Sequence, residues 1–244
     1  MTRADLHIHT VLSPCGDIEM TPQNIISRAI EEGLDIIGIA DHNSTLNCLE
    51  IRRVGAEKSV YVLCGAEVTT REEVHVLCFV EPDKLGDLQF FLESNIIKVP
   101  NNPDVFGYQL AVNVNEEVLE EVDYLLVNAL NKSIEEISEF VHSLDGIVIP
   151  AHIDKGSNSI YSQLGFLPFG MVAEALEVSQ NADSSLMVAK DKSIRGFNFI
   201  KSSDAHYPYE IGRAYTIIHP EELSFEGIKS ALLSVSNPPE YRVK

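Results

Sequence analysis

Histidines and carboxylates in this chain fall at the ends of short apolar runs or inside them, and that placement constrains its fold more than any other feature. Asp5-Leu6-His7-Ile8-His9 stands near the start, Asp41-His42 follows the apolar run 35–40, and Glu67, His75 and His152 come later. Ser203-Asp204-Ala205-His206 lies near the end. Metal ligands are scattered in sequence in this way when a sheet or barrel gathers them, and the ends of parallel strands are where α/β folds place their sites.

The runs alternate with amphipathic helical patterns, which predicts an α/β fold with mostly parallel strands. Residues 4–9, 35–40, 60–63, 73–80, 147–151, 175–178, 199–203 and 214–218 read as strands. Thr21-Pro22 opens a helix, Thr21 as N-cap and Pro22 at the first helical position. Ile25, Ile26, Ala29 and Ile30 form its stripe and Gly33 ends it. A second helix is expected at about 44–58. Ser133-Ile134-Glu135-Glu136 is a capping box for a third, which Gly146 ends. A last helix is expected at about 224–233. Residues 96–131 fit the rhythm poorly and predict an excursion: a lid, part of an interface, or a long surface connection. No repeat or linker is visible, so residues 1–244 read as a single domain, a usual size for an α/β barrel.

The composition narrows the partners. The net charge is -19, from 18 Lys+Arg against 37 Asp+Glu. Such a surface is expected to repel duplex nucleic acid and anionic membranes, which need a basic face. The first residues carry no apolar segment of the signal-peptide kind, no run is long enough to span a bilayer, and the four cysteines form no C-x-x-C pair, so a cytoplasmic setting is expected. Cys64 and Cys78 read as buried free thiols.

On an extended strand His7 and His9 point the same way and can chelate one ion, with Asp5 on that face to orient a ring. Asp204 and His206 repeat the spacing. Histidine with carboxylate suits Zn, Mn or Fe. Asp41 precedes His42 and reads either as a partner that orients a ligand or as a cap for the following helix. His142 reads as structural and His219 as solvated.

In this order the motifs Asp5-x-His7-x-His9, Asp41-His42, Glu67, His75, Pro150-Ala151-His152 and Ser203-Asp204-Ala205-His206 resemble the PHP (polymerase and histidinol phosphatase) family over essentially the whole chain. The resemblance implies a distorted (βα)7 barrel with the metal site at the C-terminal ends of its strands. It also implies a di- or trinuclear centre that hydrolyses phosphate esters. Carried over, His7, His9, Glu67 and Asp204 hold a first metal, Glu67 bridges to a second on His75 and His152, and His42 and His206 hold a third. The remaining ligand of that third site falls on Asp17 or Cys15, an oxygen suited to Mn or Mg against a thiolate suited to Zn. Asp17 is slightly favoured and the choice stays open.

Two or three divalent ions would leave the pocket positive within an acidic protein, so that it can hold a phosphate group. His206 is a candidate to protonate the leaving group and Asp41 a further candidate in the catalytic machinery. Arg213, Lys155 and Arg71, each beside a ligand motif, are candidate phosphate contacts. The leading expectation is a metal-dependent phosphoesterase, phosphatase or phosphodiesterase, acting on a small phosphorylated molecule. The alternatives are a 3′–5′ exonuclease on single-stranded nucleic acid ends and a non-catalytic metal-binding interaction module. Oligomeric state is not legible.

Overall fold

Eleven strands and eight helices make up the described residues, 2–234 and 239–244, of this computed structural model. In chain order they are β1 (Thr2–Ile8), α1 (Pro22–Glu32), β2 (Ile36–His42), α2 (Cys48–Lys58), β3 (Tyr61–Thr69) and β4 (His75–Val80). Then come α3 (Leu85–Asn95), α4 (Pro103–Phe106), β5 (Leu110–Val112), β6 (Val118–Glu121), α5 (Ile134–Ser143), β7 (Ile147–Pro150) and α6 (Ile160–Gln163). The last are β8 (Leu176–Glu177), α7 (Ser184–Lys190), β9 (Phe199–Ile200), β10 (Ala214–Ile218), α8 (Phe225–Leu233) and β11 (Glu240–Val243).

A seven-stranded sheet in the order β11-β10-β1-β2-β3-β4-β7 forms most of the wall. The parallel pair β8–β9 continues it: Glu174 N–H donates to Val148 O on the β7 side. The chain after β9 returns to β1, where His9 N–H donates to Ala205 O and Ala205 N–H to His7 O. The result is a distorted α/β barrel. The expectation of mostly parallel strands is corrected. Within the main sheet only β1–β2 and β2–β3 are parallel, while β1–β10, β10–β11, β3–β4 and β4–β7 are antiparallel. The physical reason is visible at residues 70–74. A connection that short closes a hairpin and leaves no room for the crossover that a parallel pair needs.

Inward-facing rows are apolar at one end of the barrel and carry histidines and a carboxylate at the other, termed the ligand end. Ile36, Gly38, Ala40 and His42 share one face of β2, Leu63, Gly65 and Glu67 one face of β3, and Phe79, Leu77 and His75 one face of β4. Because β4 runs antiparallel, His75 sits at its N-terminal end, yet at the same end of the barrel as Glu67, its neighbour two residues along the β3 register. Phe225, Ile228 and Leu232 of α8 join Leu6, Ile36, Leu63, Phe79 and Ile147 in the interior apolar cluster. Each such fully buried side chain contributes roughly 1.5–3 kcal/mol. A second cluster, under α1, α2, α3 and α5, covers the outer face of the sheet.

β1 carries the feature that sets up the site. Asp5 pairs with Ile37 but Ile8 pairs with Ile39, so three steps on β1 oppose two on β2. This bulge changes the phase of the strand. Leu6 belongs to the interior cluster and Ile8 to the outer one, and both His7 and His9 reach the ligand end. Asp5 therefore does not share their face, contrary to expectation. Its carboxylate instead accepts from Ser203 N–H and Gly212 N–H, both at 2.9 Å. Gly38 admits the bulge: a Cβ there would stand 2.5 Å from Leu6 O.

The local readings mostly hold. Ser133 and Glu136 form the capping box, and Gly33 ends α1 in the left-handed region at φ 67°. Thr21 occupies the N-cap position, but its hydroxyl donates to Glu116 rather than capping the helix, and Ile30 is exposed. Cys48, Cys64 and Cys78 are buried free thiols. The 96–131 segment contains α4 and the β5–β6 hairpin, and buried amides fasten it to the barrel. Asn47 donates to Leu110 O and accepts from Val112 N–H; Asn43 donates to Leu126 O and Asn128 O. No described helix is long and apolar enough to cross a membrane. Replacing Gly38 by Ala is expected to push Leu6 and destabilise the fold by roughly 1–3 kcal/mol, read as a lowered Tm, with a loss of bound metal as His7 shifts.

Candidate metal centre

His7, His9, His42, Glu67, His75, His152, Asp204 and His206 converge at the ligand end of the barrel. Glu67 Oε1 lies 3.3 Å from His7 Nε2, 2.8 Å from His75 Nδ1 and 3.1 Å from His152 Nε2. Its other oxygen is 3.5 Å from His9 Nε2 and 3.1 Å from His42 Nδ1. Asp204 Oδ1 is 3.4 Å from His7 Nε2 and 3.5 Å from His9 Nε2. Three groups of ligand atoms close on common points: His7, His9 and Asp204; His42, Glu67 and His75; His9, His42 and His206.

The spacing fits divalent cations. Atoms bound to one ion at roughly 2.0–2.2 Å stand about 3.0–3.5 Å apart. His7 Nε2 and His9 Nε2 face each other at 3.2 Å, an arrangement natural for two lone pairs aimed at one ion. The buried Nδ1 of His42, which faces Glu67, has no hydrogen-bond partner. A buried polar atom without a partner is costly, and a cation would satisfy it.

Neighbouring groups fix the ring tautomers. His7 Nδ1 donates to Glu177 Oε2 at 3.0 Å, and His206 Nδ1 donates to Asp204 O at 3.0 Å. His9 Nδ1 donates to Ser13 Oγ at 3.0 Å, and Ser13 donates in turn to Asp41 Oδ1 at 2.7 Å. Each bond leaves Nε2 for the centre, the arrangement by which outer partners orient metal-bound histidine. Asp41 also accepts from the Thr10 N–H and hydroxyl, both at 2.7 Å. It thus positions His9 and the loop after β1. His152 and Asp204 have left-handed backbones, at φ 30° and 53°. Such conformations cost about 1–3 kcal/mol each and collect at functional sites.

The electrostatics follow from burial and from this crowd. Burial opposes charge on His7, but the Glu177, Asp204 and Glu67 carboxylates outweigh it and hold the imidazole well above its usual range. Burial and then the neighbouring His206 and His42 push His9 well below. Burial lowers His42 to about 4, against the pull of Glu67. Glu67 and Asp204 stay ionised: burial raises them, but the imidazoles around them win and leave both well below the usual carboxylate range.

The remaining candidates divide. Lys155 reaches the centre and forms an ion pair with Asp204. It lines two adjoining cavities of about 240 and 170 Å³ together with His152 and Asp204. Arg71 pairs with Glu72 and Glu136 on the surface, and Arg213 pairs with Glu210 at 3.1 Å. Asp17 turns Oδ1 to the Glu19 N–H at 2.8 Å. Cys15 is exposed at the surface, and desolvation first, then the fields of Glu67, Asp41 and Asp204, push its thiol up to about 12. Neither residue joins the three convergent groups. His142 bonds Ser138 and Glu174 away from the centre, and His219 is exposed.

Glu177 and Ser13 were not singled out from the sequence. Glu177 was detectable as a lone carboxylate inside the apolar run 175–178, since a charged residue is almost never buried without a partner. It also accepts from His152 N–H at 3.0 Å. Nothing in the sequence marks Ser13, whose role comes from being placed between His9 and Asp41.

Replacing Glu177 by Ala is expected to weaken metal binding about 10–100-fold by calorimetric titration. The raised His7 gives the sign of the pH dependence. Its proton stabilises the metal-free fold below the unfolded value near 6.5, and that contribution is lost as pH rises through the higher folded value. A metal must displace that proton. Metal added at neutral pH in weak buffer should therefore acidify the solution, and affinity should fall as pH falls.

Comparison with known proteins places this geometry. The profile of the PHP domain matches residues 5–164, and that of a PHP-associated region matches residues 192–234. The uncharacterised protein YqxK of Bacillus subtilis is 24% identical over 94% of this chain and 61% of its own length. The lesion-specific endonuclease Q of Pyrococcus furiosus superposes with a TM-score of 0.71 at 22% identity, over 96% of this chain and 56% of that one. A two-domain protein of Bacteroides vulgatus containing a predicted PHP-like metal-dependent phosphoesterase superposes at 0.59, with 16% identity, over 99% of this chain and 64% of that one. The chain thus spans about three fifths of the length of these relatives. Endonuclease Q has also been solved with a 27-mer duplex bearing an abasic lesion at its active site, at the same TM-score of 0.71. That overturns the expectation that duplex nucleic acid is excluded, since a protein of this fold takes a duplex at its active site. Net charge sums over the whole surface, whereas a phosphate responds to the local charge at the site. The chain belongs to the PHP domain family.

Proposed function

We propose that this chain is a metal-dependent phosphoesterase that hydrolyses phosphodiester bonds in nucleic acid. The observation that carries the hydrolytic part is the convergence of six imidazoles with Glu67 and Asp204 at donor spacings that suit divalent ions. The nucleic-acid part is supported by the likeness in fold to endonuclease Q.

His7, His9, Glu67 and Asp204 would hold one ion, Glu67 with His75 and His152 a second, and His42 with His206 a third. Neither Asp17 nor Cys15 stands among the convergent groups, so in this reading His9, shared with the first set, completes the third with His42 and His206. Bound divalent ions supply Lewis-acid polarisation of phosphoryl oxygens and activation of water at neutral pH. Lys155 binds a phosphoryl oxygen from the rim, where its partner Asp204 would exchange the ammonium for a metal. Asp41, through Ser13, holds His9 in one tautomer and acts as a positioning residue. Buried walls keep bulk water from the inner ligands: His7 and His9 are fully buried.

The test is cleavage of labelled single- and double-stranded oligonucleotides, with and without an abasic position, by protein loaded with Mn or Zn. Cleavage should need the metal, stop on chelation, and fall by more than about a hundredfold in Asp204→Asn and His42→Asn variants that keep their circular dichroism. Hydrolysis of phosphate monoesters with every oligonucleotide left intact would refute the nucleic-acid assignment.

A further inference from the structure

The turn that follows His206 carries three exposed π-systems. Tyr207 and Tyr209 stack with ring centroids 5.4 Å apart and planes 23° from parallel. The Arg213 guanidinium lies over the Tyr209 ring, 4.8 Å from its centroid. Both rings are solvent-accessible, Tyr207 at 41% and Tyr209 at 57%. Rings that exposed gain little from burial, so the fold alone does not account for them.

The same turn ties this ladder to the metal centre. The Glu210 carboxylate accepts the His206 backbone N–H at 3.0 Å and the Arg213 guanidinium at 3.1 Å. Pro208 begins the short helical turn that holds Glu210 in place. Tyr207 is the residue next to a ligand, one Cα step of about 3.8 Å from His206. Lys155 borders the same ligand motif through its ion pair with Asp204. Lys155 thus contacts the Asp204 end of this segment, and the stacked tyrosines follow its His206 end.

We infer that Tyr207, Tyr209 and Arg213 form a stacking platform that takes a nucleobase next to the scissile phosphate. The inference rests on the nucleic-acid reading above and adds that an unpaired base is engaged. Every base has a π-face, so aromatic rings and a guanidinium hold single-stranded or unstacked bases with little sequence preference. Such a platform also explains how an acidic protein retains a nucleic acid, since stacking needs no basic groove.

The chain has 8 tyrosines and no tryptophan, so tyrosine fluorescence can report stacking. A short phosphorothioate oligothymidylate, resistant to cleavage, is titrated into metal-loaded protein beside an abasic oligomer of equal length. The base-bearing strand should bind about tenfold tighter and quench the tyrosines. In a Tyr207→Leu/Tyr209→Leu variant of unchanged metal content the affinity ratio should fall to about one, and in Tyr207→Phe/Tyr209→Phe it should be retained. No preference in the parent protein, or the same preference in the Leu variant, overturns the platform. Base-dependent binding without cleavage would refute the proposed hydrolysis alone, and cleavage without base dependence would refute the platform alone.

Discussion

Burying the Glu67 carboxylate is tolerable only because five imidazoles reach it, those of His7, His9, His42, His75 and His152, at 2.8–3.5 Å. A lone buried carboxylate would give up its charge; this one keeps it. These partners come from β1 and the residue after it, from β2 and β4, and from the loop after β7, so Glu67 links four segments electrostatically, of which β2 and β4 also pair with β3 through the backbone. The bulge in β1, the Gly38 contact that admits it and the antiparallel return of β4 all serve to bring those nitrogens to one carboxylate.

A further layer keeps the rings from pairing with one another in unproductive ways. Glu177, Ser13 with Asp41, and the Asp204 carbonyl each take an Nδ1–H, which leaves Nε2 for the centre. The left-handed backbones of His152 and Asp204 are held by surrounding bonds, among them Glu177 to the His152 amide. Rigid placement of ligands matters because a divalent ion tolerates little error in donor spacing. The 96–131 segment contributes through Asn43 and Asn47, which tie it to the loops carrying His42 and Thr10.

Much of this was legible before any coordinates. The histidines and carboxylates that converge were readable because residue type and position at the end of an apolar run are both local properties. Capping by Ser133 and Glu136 and termination by Gly33 were readable for the same reason. Asp5 was misread because alternation along an unbroken strand puts it with His7, and no pattern in the five residues announces a bulge. The strand directions were misread because a βα rhythm suggests crossovers, while the five-residue β3–β4 turn outweighs it. The charge argument failed for a different reason: a sum over 244 residues carries no information about potential within one pocket.

The sequence by itself determined which residues can bind metal, because their chemistry is intrinsic, and which family the chain resembles, because the motifs keep a fixed order. Tertiary structure alone decided that His7 and His9 share the interior with Leu6, that Glu177 and Asp41 orient rings from far along the chain, and that Arg71 and Arg213 have acidic partners of their own. These depend on contacts between strands and loops distant in sequence. Such contacts are set by packing of backbone against backbone, as where Gly38 meets Leu6, and no local propensity encodes them.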